Sequence, residues 1–169
     1  MRTEVVSGTD LYKKAQTILE NKKSTFEEFE KAFHWFNLLL DGAKNVGGES
    51  ADVLYFSLGA VCMKRDHKEL AILCFEKAIS LRPNFLEAMN NIGYIHKKNE
   101  DSDSAKKYFK QIVDIAEASD DLRPEYIKKK ADYYCNYGSM LISRGTPLQA
   151  LEVFEKGYKC DPDHRLNKW

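Results

Sequence analysis

Residues 52–83 read DVLYFSLGAVCMKRDHKELAILCFEKAISLRP, and this stretch decides the fold. Tyr55, Leu58, Gly59 and Cys62, then Ala71, Phe75 and Ala78, stand at the spacings of two helices packed back to back, with Pro83 closing the pair. Shifted on by 34 residues, the pattern returns from Leu86, with Met89, Ile92, Gly93, Ala105, Phe109 and Ile112 at the same offsets. It returns again from Ala131, carried by Tyr134, Gly138, Ala150, Phe154 and Gly157. An internal repeat of this period is the signature of stacked helical hairpins.

Composition narrows the function classes. The 169 residues suffice for one solenoid block or one compact domain, and an apolar content of 43% can supply a continuous core. Twenty-six Lys and Arg balance 26 Asp and Glu, which removes the overall electrostatic footprint of a nucleic-acid or anionic-membrane binder. No apolar run approaches the roughly 18 residues needed to span a bilayer, and the N-terminal MRTEVVSGTD lacks the apolar region of a signal peptide. Cys62, Cys74, Cys135 and Cys160 form no CxxC spacing. A reduced cytoplasmic protein is the reading that follows.

Outward from the deciding stretch, the helix signals fall in order. Residues 10–23 carry Leu11, Ala15, Ile18 and Leu19 on one helical face, and Ser24 or Thr25 can cap the helix of FEEFEKAFHWFNLLL. Together, residues 8–40 read as a degenerate first repeat. The segment AKNVGGES reads as a loop, and its Gly47-Gly48 is no phosphate-binding loop, since neither a GK[ST] nor a preceding strand accompanies it. The clean repeats are 52–85, 86–119 and 131–164. Between the last two lies an 11-residue insert, 120–130, read as three extra turns on the front of a helix running from Pro124 to Ser143. Asp101 or Ser102 caps one later helix. Thr146, Pro147 and Gln149 are expected to form a capping box at the start of the last.

Each recurring residue type has a physical role. A glycine inside a helix costs about 0.8–1 kcal/mol relative to alanine, so Gly59, Gly93 and Gly138 require a packing reason, namely close helix crossing. Ala71, Ala105 and Ala150 are the matching small residues. Phe75, Phe109 and Phe154 are expected to fill the wedge between neighbouring hairpins.

These positions resemble the tetratricopeptide repeat (TPR) family, whose pattern runs W-x2-L-G-x2-Y, then A-x3-F, then a closing proline. Tyr55, Met89 and Tyr134 stand where the family has Trp. The resemblance implies an all-α fold, an α-solenoid in the form of a right-handed superhelix of about four helix-turn-helix hairpins, as a single domain over 1–169. It also implies a concave groove lined by first helices. Carried across position by position, the partner-binding candidates are Phe56, Ser57 and Met63 from one repeat, Asn90, Asn91 and Tyr94 from the next, and Asn136, Ser139 and Ile142 from the last. Tyr12, Lys13 and Gln16 of the degenerate repeat are further candidates.

Two family subtypes are distinguishable at these positions. One clamps the C-terminal carboxylate of chaperone tails with groove cations. Groove positions two, five, six and nine of the clear repeats hold neither Lys nor Arg, so a buried carboxylate would go unpaired and that partner is excluded. The other, as in the TPR region of O-linked N-acetylglucosamine transferases, uses groove asparagines whose amides pair with peptide units. Asn91 and Asn136 stand at that ladder position with Asn90 beside them, while Ser57 interrupts it. Chance or local solvation accounts for two asparagines in three positions about as well. Two such amides supply about 1–3 kcal/mol against the roughly 8 kcal/mol of micromolar binding, so Phe56, Met63, Tyr94 and Ile142 would have to contribute most of it.

No catalytic or metal-binding constellation emerges. His34, His67, His96 and His164 are scattered outside any HExxH or Cys/His zinc spacing. Cys160 and His164, with Asp161 and Asp163, read as a core thiol beside turn acids. Lys128-Lys129-Lys130 reads as a solvated face. The expected function is a non-catalytic scaffold, without cofactor, that binds a protein or peptide. The alternative is the substrate-selecting portion of a larger enzyme such as a glycosyltransferase, because RLNKW reads as the opening of a further helix. A last repeat without a polar cap also leaves self-association open.

Overall fold

A computed structural model describes residues 13–14, 16–19, 21, 23–40, 45–46 and 49–163. Expectations for Leu11, Tyr12, Ala15, Gly47-Gly48, His164 and the RLNKW tail lie outside these residues. The chain forms two compact units, residues 1–83 and 84–169.

In the first unit, residues 13–14 and 16–19 are helical and precede helix α1 (Phe26–Leu40). Thr25 caps α1 through a reciprocal box. Its hydroxyl accepts from the Glu28 backbone N–H at 3.2 Å, and its own N–H donates to the Glu28 carboxylate at 2.8 Å. Phe29, Ala32, Phe33, Phe36 and Leu40 form the buried face of α1. The segment expected to be pure loop holds a two-residue antiparallel ladder, β1 (Asn45–Val46) on β2 (Glu49–Ser50). Two strands of two residues each carry too little side-chain periodicity to read, which is why composition pointed only to loop.

Helices α2 (Ala51–Lys64) and α3 (Lys68–Leu81) form the hairpin of the deciding stretch. Asp52, in the first turn of α2, pairs with Arg82 just beyond α3 at 2.8 Å, closing the open end of the hairpin. The Ser50 hydroxyl first, and then Arg82, hold the Asp52 carboxyl below its usual range. At the core, Cys62 and Cys74 are free, buried thiols. The Cys62 thiol and burial both push the Cys74 thiol up, so it stays protonated.

The second unit contains α4 (Leu86–Lys98), α5 (Ser102–Glu117), α6 (Pro124–Ser143) and α7 (Pro147–Cys160). Asp101 caps α5, accepting from the Ser104 N–H at 3.1 Å. Helix α4 packs on α5, α5 on α6, and α6 on α7, so hairpin stacks on hairpin inside this unit. Glu117, at the end of α5, accepts from the Tyr134 hydroxyl at 3.1 Å and from the Lys156 ammonium at 2.7 Å. One carboxylate thereby ties three helices together.

The insert departs from the three-turn expectation. Only seven of its residues, Pro124 to Lys130, extend α6 ahead of Ala131. Helix α5 runs two residues past the point where α3 stops in the repeat frame, and the connection from Ala118 to Arg123 is two residues longer than that from Arg82 to Phe85. At about 3.6 residues per turn, seven residues are two turns, so the added segment continues the existing faces of α6.

The recurrent glycines have a direct explanation. A Cβ on Gly59 would stand 2.7 Å from the Phe75 ring, one on Gly93 2.9 Å from Phe109, and one on Gly138 2.7 Å from Phe154. Each aromatic therefore lies on the glycine of its own hairpin, in addition to any wedge it fills. The turns also repeat. His67, Asp101 and Thr146 donate their backbone N–H to Cys62, His96 and Leu141, five residues back, at 2.9, 3.0 and 3.0 Å. Asp66, Glu100 and Gly145, each one residue before the donor, all take positive φ (62°, 62° and 73°). This is a helix stop with a left-handed residue, used three times. The Thr146 capping box is replaced by part of the same device: its hydroxyl turns back to donate to the Leu141 carbonyl at 2.9 Å.

Candidate functional site

The sequence candidates fall into two sets, one on each unit. In the first unit, α2 presents Ser57 exposed and Phe56 and Met63 half-buried. The Phe56 ring tilts against Phe75 at 5.6 Å, so part of its surface is committed to the hairpin core. Lys13 and Gln16 are exposed on the helical residues that precede α1.

In the second unit, α4 and α6 are the first helices of their hairpins and bring the remaining candidates together. Asn136 Nδ2 on α6 donates to Asn90 Oδ1 on α4 at 2.9 Å. Both side chains are half-buried, and the bond draws the two helices together across one face. Asn91 is also half-buried, and among the described residues its amide bonds to nothing, leaving both donor and acceptor for a ligand. The two ladder asparagines are thus unlike: Asn91 is uncommitted, while Asn136 has spent one donor on Asn90.

Around this amide pair the surface is mixed. Tyr94 is 46% exposed, with the Lys98 ammonium over its ring at 5.1 Å, and Ile142 is 56% exposed. Ser139 lies half-buried one turn beyond Asn136. On α6, burial pushes the Tyr133 hydroxyl well above its ordinary range, so it stays neutral.

One feature of this face escaped the sequence reading. Lys129, in the extended part of α6, forms an ion pair with Glu87 on α4. Lys129 is seven residues before Asn136 and Glu87 three before Asn90, so the pair adds a second rung beside the amides. The signal was the helical spacing of Lys129 from Asn136, hidden because a run of three lysines reads as a solvated face.

Among the described residues, no group of three or more His, Cys, Asp or Glu side chains is placed to hold a metal ion, and no helix is long and apolar enough to cross a membrane. What the face offers is amide hydrogen bonding, an aromatic ring and aliphatic surface, which is recognition chemistry.

Residues 53–85, 86–119 and 131–164 each match the family model described as tetratricopeptide repeat. The chain belongs to the tetratricopeptide repeat family. Solved TPR structures share the fold. MamA superposes with a TM-score of 0.63 at 17% identity, over 94% of this chain and 81% of that one. YrrB, described as a TPR protein with an unusual peptide-binding site, gives 0.61 at 21% identity over 97% and 74%. The N-terminal domain of stress-induced protein-1 (STI-1) from C. elegans gives 0.60 at 20% identity over 70% and 90%. At these identities the likeness is one of fold: an all-α TPR solenoid.

Proposed function

We infer that this TPR chain is a non-catalytic interaction scaffold that holds an extended peptide segment of a partner protein on the α4–α6 face. The observation that carries the reading is the Asn90–Asn136 bond at 2.9 Å with the uncommitted Asn91 amide beside it. Side-chain amides recognise the peptide unit that every sequence shares, while exposed Tyr94 and Ile142 supply the apolar contact area that the amides cannot. Family membership supports a protein or peptide ligand, and the description of YrrB as having a peptide-binding site shows that a relative of this fold has one.

The test is selection of a displayed random-peptide library on the wild-type chain, followed by affinity measurement on the triple variant Asn91→Ala, Tyr94→Ala, Ile142→Ala. The expected result is a selected consensus whose affinity falls at least tenfold in the variant, with unchanged helicity by circular dichroism. Peptides that bind the variant as well as the wild type would remove this face as the site.

A further inference from the structure

A second feature lies on the first unit, on the side of the α2–α3 hairpin where its turn is made. There the turn meets the entrance to α1 around a cavity of about 660 Å3, lined by Lys64 at the end of α2, Arg65 and His67 from the turn, Leu19 and Ser24 from the segment leading into α1, and Phe26, its first residue. Among the described residues, none of the three basic side chains forms an ion pair. Of the neighbouring acids, Glu28 bonds to the Thr25 N–H and Asp66 faces Lys68, and neither these nor Glu27 and Glu69 line the cavity.

Arg65 is built in. Its Nη2 donates to the Asn21 carbonyl and, at 2.7 Å, to Ser24 Oγ, while the guanidinium lies over the Phe29 ring at 4.8 Å. The Ser24 hydroxyl is fixed in turn, donating towards the carbonyls of Ile18 and Asn21. His67 is wedged between aromatic rings, 5.1 Å from Phe26 and 4.8 Å from Phe29. A cation at a helix C-terminus ordinarily turns to the last carbonyls of that helix. Arg65 turns away from them, and its Nε and Nη1 meet no acceptor among the described residues. The result is a pre-oriented cation with donors to spare, next to the exposed Lys64 ammonium and above apolar walls.

We propose that this cavity binds a phosphate monoester, carried either by a phosphorylated side chain of a peptide or by a free organic phosphate. The charge count favours phosphate over carboxylate. A phosphate monoester brings about −1.5 to −2 charges and three strong acceptor oxygens near neutral pH, matching the two permanent cations Lys64 and Arg65. A carboxylate would leave one of them unmatched. Arginine suits this role through its fixed planar donors and lysine as a mobile point charge. Leu19 and the 56% exposed Phe26 offer apolar contact to whatever carries the phosphate.

The experiment uses the full chain, 15N-labelled, and four probes: a phosphoserine peptide with otherwise uncharged residues, its unphosphorylated and glutamate counterparts, and inorganic phosphate. Shifts of the Lys64–Lys68 amides should localise binding, and the phosphopeptide should bind at least tenfold tighter than the unphosphorylated one. Lys64→Gln, at an exposed position that leaves the fold alone, should weaken it at least fivefold, and Lys77→Gln, outside the cavity, should not. Inorganic phosphate within threefold of the phosphopeptide would mark a free phosphate as the ligand, and a tenfold preference for the peptide would mark a phosphorylated chain. Both support the proposal. Equal binding of the glutamate peptide, or loss of phosphate dependence with the Lys64–Lys68 amides unmoved, overturns it. Neither result bears on the α4–α6 face, which has its own variant.

Discussion

The ring of Phe75 occupies the space where a side chain on Gly59 would have to begin, with Cε1 2.7 Å from the position of such a Cβ. Alanine in place of a helical glycine ordinarily gains about 0.5–1 kcal/mol. Here the neighbour is a fully buried ring that has nowhere to go, and overpacking costs about 1–3 kcal/mol. Gly59→Ala should therefore destabilise the chain by about 1–2 kcal/mol in urea unfolding. Gly138→Ala meets Phe154 just as closely, but that ring is only half-buried and can swing outward. Its cost should be near zero, and equal costs would contradict this account of the difference.

Glu100 is a non-glycine residue in a left-handed turn position, where Gly145 stands in the last hairpin. The left-handed conformation costs an L-residue about 1–2 kcal/mol, and among the described residues the exposed Glu100 side chain makes no hydrogen bond or ion pair that offsets it. Glu100→Gly should raise the urea midpoint, by about 0.5–1 kcal/mol in stability. Gly145→Ala should lower it by a similar amount, since φ is 73° there.

The side-chain hydrogen bond from Asn136 to Asn90 should register as coupling. In a double-mutant cycle with alanine at both positions, the interaction energy should be about 0.5–1.5 kcal/mol. A value indistinguishable from zero would mean the two helices are held together without it.

Stability should also depend on pH through Glu117. Lys156 first, and then the Tyr134 hydroxyl, hold this carboxyl below its usual range. A carboxyl whose pKa is lower in the folded state contributes stability above its unfolded value, about 4.3, and loses it as pH falls through the folded value. With the side chain 39% exposed, solvent screens the pair, so Glu117→Gln should cost only about 0.5–1 kcal/mol at neutral pH. That difference should shrink below about pH 4 and disappear once the carboxyl is protonated in both states. Urea unfolding of both proteins across this range measures it.

The hairpins were legible because their pattern is local. Ala71, Phe75 and Ala78 announce one buried face, and Pro124 and Pro147 mark helix starts that the structure reproduces. The repeated stop was visible only at Gly145, since Asp66 and Glu100 adopt the same backbone without the residue that advertises it. Thr146 misled because a hydroxyl can serve the helix behind it as readily as the one ahead. The candidate face was half legible. Family position marks Asn90, Asn91 and Asn136, but a bond spanning 46 residues depends on how helices stack, which no local window contains.

Seven residues added to the front of α6 do more than lengthen it. They place Lys129 against Glu87 at one end of a face whose middle is the Asn90–Asn136 pair and whose other end is Tyr94 and Ile142. An ion pair, an amide pair, and then aromatic and aliphatic surface edged by Lys98 follow one another in a fixed order along the two helices. A segment lying along this face would not meet the same chemistry if laid down backwards. The face has a reading direction, and a peptide and its reversed sequence should be told apart by it.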